Sequence, residues 1–258
     1  MTFDPSHEEV LRAVQARLGV EKVVVIGAAA VGARQLTSRL SDDLDLAIAV
    51  DLDDYPGAIA GLPGWRQHPK KAQRWLAPND LPVDILPAGG ALRGEATLRW
   101  PDGFEMSMVG MDLPFRSYDE LPLRGGSTVR VASVPALVVL KMRAWLDRPA
   151  RTRDLADLAL LLEDGVPDDD PRRFDPDLYD RQGLGFETVG PFLVGRDIGA
   201  IAGPAHRDTV RRFVREVPQA TWASHGPVRW RTDEDEARRA LDACLRGMDS
   251  TNHTHDGA

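Results

Sequence analysis

Two aspartates near the start of the chain have a spacing that suits a divalent cation. Asp43 and Asp45 lie in residues 39–48, RLSDDLDLAI, where acidic residues run directly into apolar sequence. Residues two apart on a strand share a face about 6.5–7 Å apart, so these two carboxylates project together and Asp42 points away. Ionised carboxylates about 5 Å apart repel by roughly 3 kcal/mol at an effective dielectric constant of 20. Mg²⁺ cancels such repulsion, because it takes hard oxygen ligands and is commonly held by carboxylates together with substrate phosphates.

A third acid, Asp84, is embedded in the apolar strand-like segment PVDIL. On a strand adjacent to that of Asp43 and Asp45, it would complete a triad of metal ligands. The alternative interpretation is structural: Asp-rich turns are common, and an Asp close to a proline often closes a turn. The spacing of the three acids therefore predicts a metal site but leaves the turn interpretation open.

These acids belong to a longer pattern that resembles a known family. Gly27 is followed after about a dozen residues by an R-x-S-x-D-x-D segment at residues 39–45, and then by Asp84. The pattern is similar to that of nucleotidyltransferases of the DNA-polymerase-β-like superfamily. It is most similar to the AbiEii group of abortive-infection proteins, toxins of type IV toxin–antitoxin systems.

A second block further along the chain supports the same resemblance. Lys141-x-x-Ala144 is followed by the segment RDLADL at residues 153–158. This order is similar to the helical K-x-x-A and R-D-x-x-D-L motifs of the family. The matching motifs lie within residues 23–163, about half of the chain.

The resemblance implies an activity and a set of site residues. The activity is transfer of a nucleoside monophosphate from an NTP, such as ATP or CTP, to a hydroxyl group, with release of pyrophosphate. Asp43, Asp45 and Asp84 would hold Mg²⁺, Asp84 would also help to deprotonate the acceptor, and Lys141 would neutralise charge on the pyrophosphate. The nucleotide-binding residues that it implies are Gly27, Ala28, Arg39, Ser41, Lys141 and Asp154. The implied partners are a tRNA 3′ end or a protein as the acceptor, and an antitoxin protein.

The chain departs from the family pattern at one position. The usual Gly-Gly or Gly-Ser pair is Gly27-Ala28 here, so the hydroxyl that would touch the triphosphate is missing. Backbone N–H groups at a helix start can take over part of this work. A side chain of residue 34, 37, 38 or 41 can also substitute, and the sequence does not choose among them.

Two other hypotheses compete with the toxin. The first is a non-catalytic nucleotide-sensing or interaction module of the same fold, for which Ala28 is the main support. The second is a small-molecule nucleotidyltransferase of the aminoglycoside-modifying kind, which an acidic cleft would favour because those substrates are polycations.

Lys141 has a structural interpretation as well as a functional one. Helical spacing places it on one face with Leu137, Ala144 and Trp145, and a lysine in an apolar stripe either reaches the edge or pairs with an acid. Asp154 and the acid three residues later face a core in the same way. An ion pair between two helices and a role at the phosphates are both compatible with this pattern.

The elements that must position these residues change in character along the chain. Helical periodicity predicts a helix from residue 6 to Gly19, and β-branched or alternating sequence predicts strands at residues 22–27, 43–50, 72–76 and 82–86. Further strands are predicted at residues 105–109 and 128–131. Helices are predicted after Ser133, at residues 151–165, at 206–217 and at 232–248, and the Pro/Asp-rich residues 166–178 are predicted to form a linker or long loop.

The predicted fold class is therefore α+β. We expect a nucleotidyltransferase domain at residues 1–131, with a short mixed β-sheet flanked by helices. A helical domain at residues 132–250 and a disordered tail at 251–258 would follow.

Composition limits the function classes. The chain has 258 residues with 32 Lys and Arg against 40 Asp and Glu, a net charge of −8. This balance argues against a broad nucleic-acid-coating surface, although arginine-rich stretches at residues 143–153 and 207–215 can form a local docking strip. The single Cys244 excludes an internal disulfide and fits a reducing compartment. No apolar run approaches 18 residues, so we expect a cytoplasmic protein without a membrane partner.

Overall fold

The computed structural model describes residues 3–34, 36, 41–101 and 103–251. The chain divides into two compact units, Met1–Ser133 and Val134–Ala258, called here the N-terminal unit and the helical unit. The predicted tail at residues 251–258 lies outside the described residues except for Thr251, whose Oγ1 accepts a hydrogen bond from Arg207. Within the described part of the chain, none of the helices combines the length and apolar character needed to cross a bilayer.

The N-terminal unit is built on a mixed sheet. Its strands are β1 (Val23–Ile26), β2 (Leu44–Ile48), β3 (Arg66–Gln67), β4 (Arg74–Leu76), β5 (Pro82–Pro87), β6 (Thr97–Arg99), β7 (Glu105–Ser107), β8 (Tyr118–Pro122) and β9 (Thr128–Ala132). Seven of them form one sheet in the order β3-β4-β5-β2-β1-β9-β8, and β6 pairs with β7 in a separate hairpin. Strand β1 is antiparallel to β2 and parallel to β9, and β2 is parallel to β5.

Four α-helices are present in the described part of this unit. They are α1 (Pro5–Leu18), α2 (Gly27–Ala33), α3 (Tyr55–Ala60) and α4 (Leu113–Arg116). The side chain of Asp4 caps α1 by accepting from the N–H of Ser6, and the helix ends at Gly19, as the sequence predicts. All four residues of β1 are buried, and α1, α2 and α4 contact this strand. The core of the unit therefore surrounds β1, the strand that leads into Gly27.

The helical unit contains eight α-helices among its described residues. They are α5 (Val134–Asp147), α6 (Arg153–Asp164), α7 (Pro176–Asp180), α8 (Phe186–Ile201), α9 (Pro204–Glu216), α10 (Gln219–His225), α11 (Val228–Thr232) and α12 (Glu234–Ser250). The most extensive packing joins α8 to α12, where glycines allow the backbones to approach closely. A Cβ on Gly195 would overlap the carbonyl oxygen of Cys244, and one on Gly247 would overlap that of Phe192. Cys244 itself is fully buried in this core.

One expectation for this unit needs correction, and one of its helices was not predicted. The predicted linker at residues 166–178 lies inside the unit and forms a short 3-10 helix, Pro171–Phe174, followed by most of α7. Asp170 and Asp175 act as N-caps ahead of a proline at each first helical position, so the Asp-Pro composition that is typical of a loop marks helix starts here. Helix α8, which the sequence analysis did not predict, begins at Phe186 after a short connection.

The predicted class is confirmed. The N-terminal unit has a small mixed sheet flanked by helices, and a helical part follows it, which is the architecture expected for a nucleotidyltransferase fold.

Candidate active site

The sheet brings the predicted acids of the N-terminal unit to one place. Asp45 of β2 lies directly opposite Asp84 of the parallel strand β5. Neighbouring strands are about 4.8 Å apart, so these two side chains are direct neighbours on one face of the sheet. Asp43 precedes β2 by one residue and is two residues from Asp45, whereas Asp42 is exposed. The adjacency expected between the strands of the acids is therefore present.

A cation already lies among these carboxylates, and it is the guanidinium of Arg74. This residue of β4 is the cross-strand partner of Asp84. Its Nε and Nη2 donate to the two oxygens of Asp84, each at 2.7 Å, and Nη2 also donates to Oδ2 of Asp43 at 3.1 Å. The hydrogen bonds to Asp84 raise the pKa of Arg74 above its ordinary value, and the negative charges of Asp84, Asp43 and Asp45 act in the same direction. All three predicted acids thus act on one positive charge.

The carboxylates of Asp43, Asp45 and Asp84 are suitable ligands for a divalent cation, but the guanidinium of Arg74 lies among them. Carboxylate oxygens are the ligands that Mg²⁺ prefers. Among the described residues, however, no group of three or more His, Cys, Asp or Glu side chains is arranged to hold a metal ion. Arg74 engages both oxygens of Asp84 and one of Asp43.

Gly27 fits against Asp45. It has a backbone φ of +68°, and a Cβ at this position would overlap Oδ2 of Asp45. Any other residue would therefore be strained and would displace the carboxylate. Ala28 follows as the second residue of α2 and is half-buried.

The candidate substitutes for the missing hydroxyl differ in their contacts. Ser41 donates from Oγ to Oδ1 of Asp43 at 3.2 Å, so it orients a predicted metal ligand. The guanidinium of Arg34 donates to the carbonyl of Ala132 and pairs with Asp119 at 2.6 Å. Arg39 and the candidates at positions 37 and 38 lie outside the described residues.

The predicted residues of the helical unit form a buried ion-pair cluster. Lys141 of α5 donates from Nζ to Oδ1 of Asp154 at 2.9 Å and to Oδ2 of Asp157 at 2.7 Å, both on α6. The three side chains are at most 10% exposed. Burial alone would lower the pKa of Lys141, but the charges and hydrogen bonds of Asp157 and Asp154 outweigh it and raise the pKa above its ordinary value. The lysine is therefore a cation, and the predicted ion pair between two helices is present.

Arg74 is the site residue that the sequence analysis missed. The only sequence signal for it was the presence of one arginine in the predicted strand at residues 72–76, which precedes the strand of Asp84. The strands are joined by residues 77–81, and a loop of this length does not fix which residues face each other.

The fold is the one expected for a nucleotidyltransferase, and a comparison with known families gives the same class of protein. A family model described as "Nucleotidyl transferase AbiEii toxin, Type IV TA system" matches residues 108–247, just over half of the chain. The chain belongs to this family of nucleotidyltransferase toxins, enzymes of the EC 2.7.7 type. The match includes Lys141, Asp154 and Asp157 and begins after Asp84. No curated protein matches the chain.

Proposed function

We propose that the protein transfers a nucleoside monophosphate from an NTP to a hydroxyl of an acceptor, releases pyrophosphate, and acts as the toxin of a toxin–antitoxin pair. The family membership supports the reaction class and the antitoxin partner. The observation that carries the residue-level proposal is the register of β2 and β5, which sets Asp45 against Asp84. Asp43 shares the cation of Asp84, so three carboxylates surround a single positive charge.

Each acid has a proposed role. Asp43, Asp45 and Asp84 would hold Mg²⁺, which when bound supplies a Lewis acid for the phosphates and lowers the pKa of the acceptor hydroxyl. Asp84 would also accept the proton of that hydroxyl. Gly27 would keep the carboxylate of Asp45 in place, since a side chain there would displace it. Ser41 would orient Asp43 through its hydrogen bond.

Lys141 would neutralise the charge that builds up on the pyrophosphate, and Asp154 and Asp157 would orient it. Support comes from the helical unit alone: the amine is a buried cation with two carboxylate partners, in a segment that the family match covers. Nucleotidyl transfer needs mainly positioning and electrostatic stabilisation, so carboxylates and a lysine suffice without a nucleophilic side chain. For Ala28 and Arg39 we propose contacts to the nucleotide on the resemblance alone.

A protein hydroxyl and a tRNA 3′ end are both proposed acceptors, and charge favours the protein. The chain has a net charge of −8. The arginines of the proposed docking strip at residues 207–215 already have partners: Arg207 donates to backbone carbonyls, Arg211 pairs with Asp249, and residues 212 and 215 pair with Glu216. These contacts reduce the positive charge that the strip offers to phosphates.

A non-catalytic nucleotide-sensing module is the second candidate. Two observations favour it: Ala28 lacks the family hydroxyl, and Arg74 bridges two of the three acids. A sensing module would bind an NTP without passing any part of it to another molecule.

The test is a transfer assay with each α-labelled NTP, Mg²⁺ and a bacterial lysate, in which wild type is compared with Asp45→Ala and Asp42→Ala. We expect label in protein or RNA, a loss of at least about a hundredfold in Asp45→Ala, and wild-type labelling in Asp42→Ala. The control removes a neighbouring carboxylate that is exposed. Label in small molecules would indicate the aminoglycoside-type enzyme, and bound NTP without Asp45-dependent transfer would indicate the sensing module.

A further inference from the structure

The guanidinium of Arg74 is oriented to bind two carboxylates. It also lies where the proposed metal ion would bind. Its guanidinium makes a two-pronged contact with Asp84 and a third hydrogen bond to Asp43. Planar two-pronged pairs of this kind are among the stronger charge-assisted hydrogen bonds. The β4–β5 register, which aligns Arg74 with Asp84, holds the arginine beside its partner.

The same contacts occupy oxygens that a divalent cation would use. Both oxygens of Asp84 accept from Arg74, and so does Oδ2 of Asp43, whose Oδ1 accepts from Ser41. A metal ion and a guanidinium cannot both lie within bonding distance of the same oxygens without repelling each other. The side chain of Arg74 is 24% exposed, so it has a route toward solvent.

We propose that Arg74 is a positioning residue that holds Asp43 and Asp84 in the metal-free protein and gives up at least part of this contact when a divalent cation binds. The proposal rests on the proposed function, in which the same carboxylates are the metal ligands. It assigns Arg74 two effects of opposite sign: it stabilises the site without metal, and it lowers the affinity of the site for metal.

A purely structural ion pair predicts a different result. If Arg74 only fixed the orientation of the ligands and stayed in place, its removal would disorder the carboxylates and weaken metal binding. The direction of the change in metal affinity therefore separates a competing cation from a fixed support.

The experiment measures Mn²⁺ binding to the full-length protein by electron paramagnetic resonance of free Mn²⁺ and by calorimetry. The variants are Arg74→Gln, Arg74→Lys and Asp45→Asn, with Arg66→Gln as the matched control. Arg66 lies on the neighbouring strand β3 and pairs with Asp80 in an exposed contact, so its replacement removes the same charge without touching the acids. The control thereby corrects for the general effect of net charge on cation binding.

We expect Arg74→Gln to bind Mn²⁺ about tenfold more tightly than wild type, the size of one lost competing charge-assisted hydrogen bond. Arg74→Lys keeps the positive charge but cannot make the two-pronged contact, so its Mn²⁺ affinity should lie between those of wild type and Arg74→Gln. Arg66→Gln should bind Mn²⁺ as tightly as wild type. In thermal unfolding, Arg74→Gln should be less stable than wild type without metal and should gain more from added Mn²⁺. This second measurement shows whether the variant is folded.

The assignment of the metal ligands and the competition by Arg74 are contradicted by different results. Equal or weaker Mn²⁺ binding by folded Arg74→Gln, with binding still lost in Asp45→Asn, overturns the competition and leaves the metal ligands standing. Mn²⁺ binding that is absent from wild type and Arg74→Gln, or unaffected in Asp45→Asn, overturns the ligand assignment and the competition together.

Discussion

The glycine at position 27 is required by its contact with Asp45. Its positive φ and the overlap that a Cβ would make with the carboxylate both act against any side chain. The resemblance explains this glycine by the approach of a nucleotide, whereas the structure adds a reason that applies before any ligand binds. Position 27 therefore affects both folding and the geometry of Asp45.

We predict that Gly27→Ala loses about 1–3 kcal/mol of unfolding free energy, because it combines a left-handed backbone with an overlap. Transfer activity should fall with it, since Asp45 must move. Chemical denaturation and the transfer assay check these two results. Gly57→Ala is the matched control, because a Cβ at position 57 of α3 would meet no neighbouring atom within 4 Å. Equal stability of the two variants would contradict the prediction.

Arg74 shows why the composition of a site is easier to predict than its contacts. Asp43 and Asp45 were predicted from their types and their spacing of two, and Asp84 from its place in an apolar strand-like segment. The arginine opposite Asp84 depends on strand register, and shifting the register by one residue would turn its side chain to the other face. Packing of the whole sheet sets that register.

Helices α5 and α6 are held together by a cluster with two interpretations. Lys141 pairs with Asp154 and Asp157 in a nearly dry environment, so removing the lysine takes away the buried cation that both carboxylates share. Asp154 keeps a contact with Arg151 at 3.5 Å, whose side chain is largely exposed. The contributions of Lys141 to stability and to catalysis can be separated only by a variant that restores stability without restoring the positive charge of the lysine.

We predict that Lys141→Met lowers the unfolding free energy by about 3–5 kcal/mol, the usual effect of breaking a buried ion pair. The triple variant Lys141→Met, Asp154→Asn, Asp157→Asn should recover most of this loss, because no buried charge remains unpaired. Denaturation curves and the transfer assay should be recorded on the same samples. If Lys141 acts on the pyrophosphate, the triple variant stays inactive; a triple variant with wild-type activity would leave the ion pair as its role.

The missed helix α8 illustrates a limit of periodicity. Its sequence FETVGPFLVGRDIGAI contains Pro191 and several glycines, which ordinarily argue against a helix interior. Gly195 is needed for the close approach of α12. Residues that weaken the helix alone therefore permit the packing that stabilises it.

At the scale of the whole molecule, the stability of the fold depends on pH through Glu163 of α6, whose side chain is only 11% exposed. Burial raises the pKa of Glu163 to about 7, although its ion pair with Arg229 acts in the opposite direction. A carboxyl group with a higher pKa in the folded protein holds its proton more tightly there. Its stabilisation is complete below the ordinary value of 4.5 and is lost as the pH rises through about 7.

We predict that the unfolding free energy of the wild type, compared with that of Glu163→Gln, falls by about 3 kcal/mol as the pH rises from about 4.5 to about 7.5. Glutamine carries no titrating proton, so the variant should lack this dependence. Denaturation at a series of pH values measures the difference, and Glu187→Gln, at an exposed position of α8, is the control. A pH profile of Glu163→Gln parallel to that of the wild type would refute the prediction.

The sequence by itself determined the α+β class and most of the elements, and it indicated the acids that we propose as metal ligands. These follow from patterns within a few residues and from motifs of fixed spacing. The tertiary structure decided that Asp45 faces Asp84, that Arg74 shares their charge, and that α8 packs on α12. Those contacts join residues distant in the chain, and they depend on strand register and close packing, which local sequence does not specify.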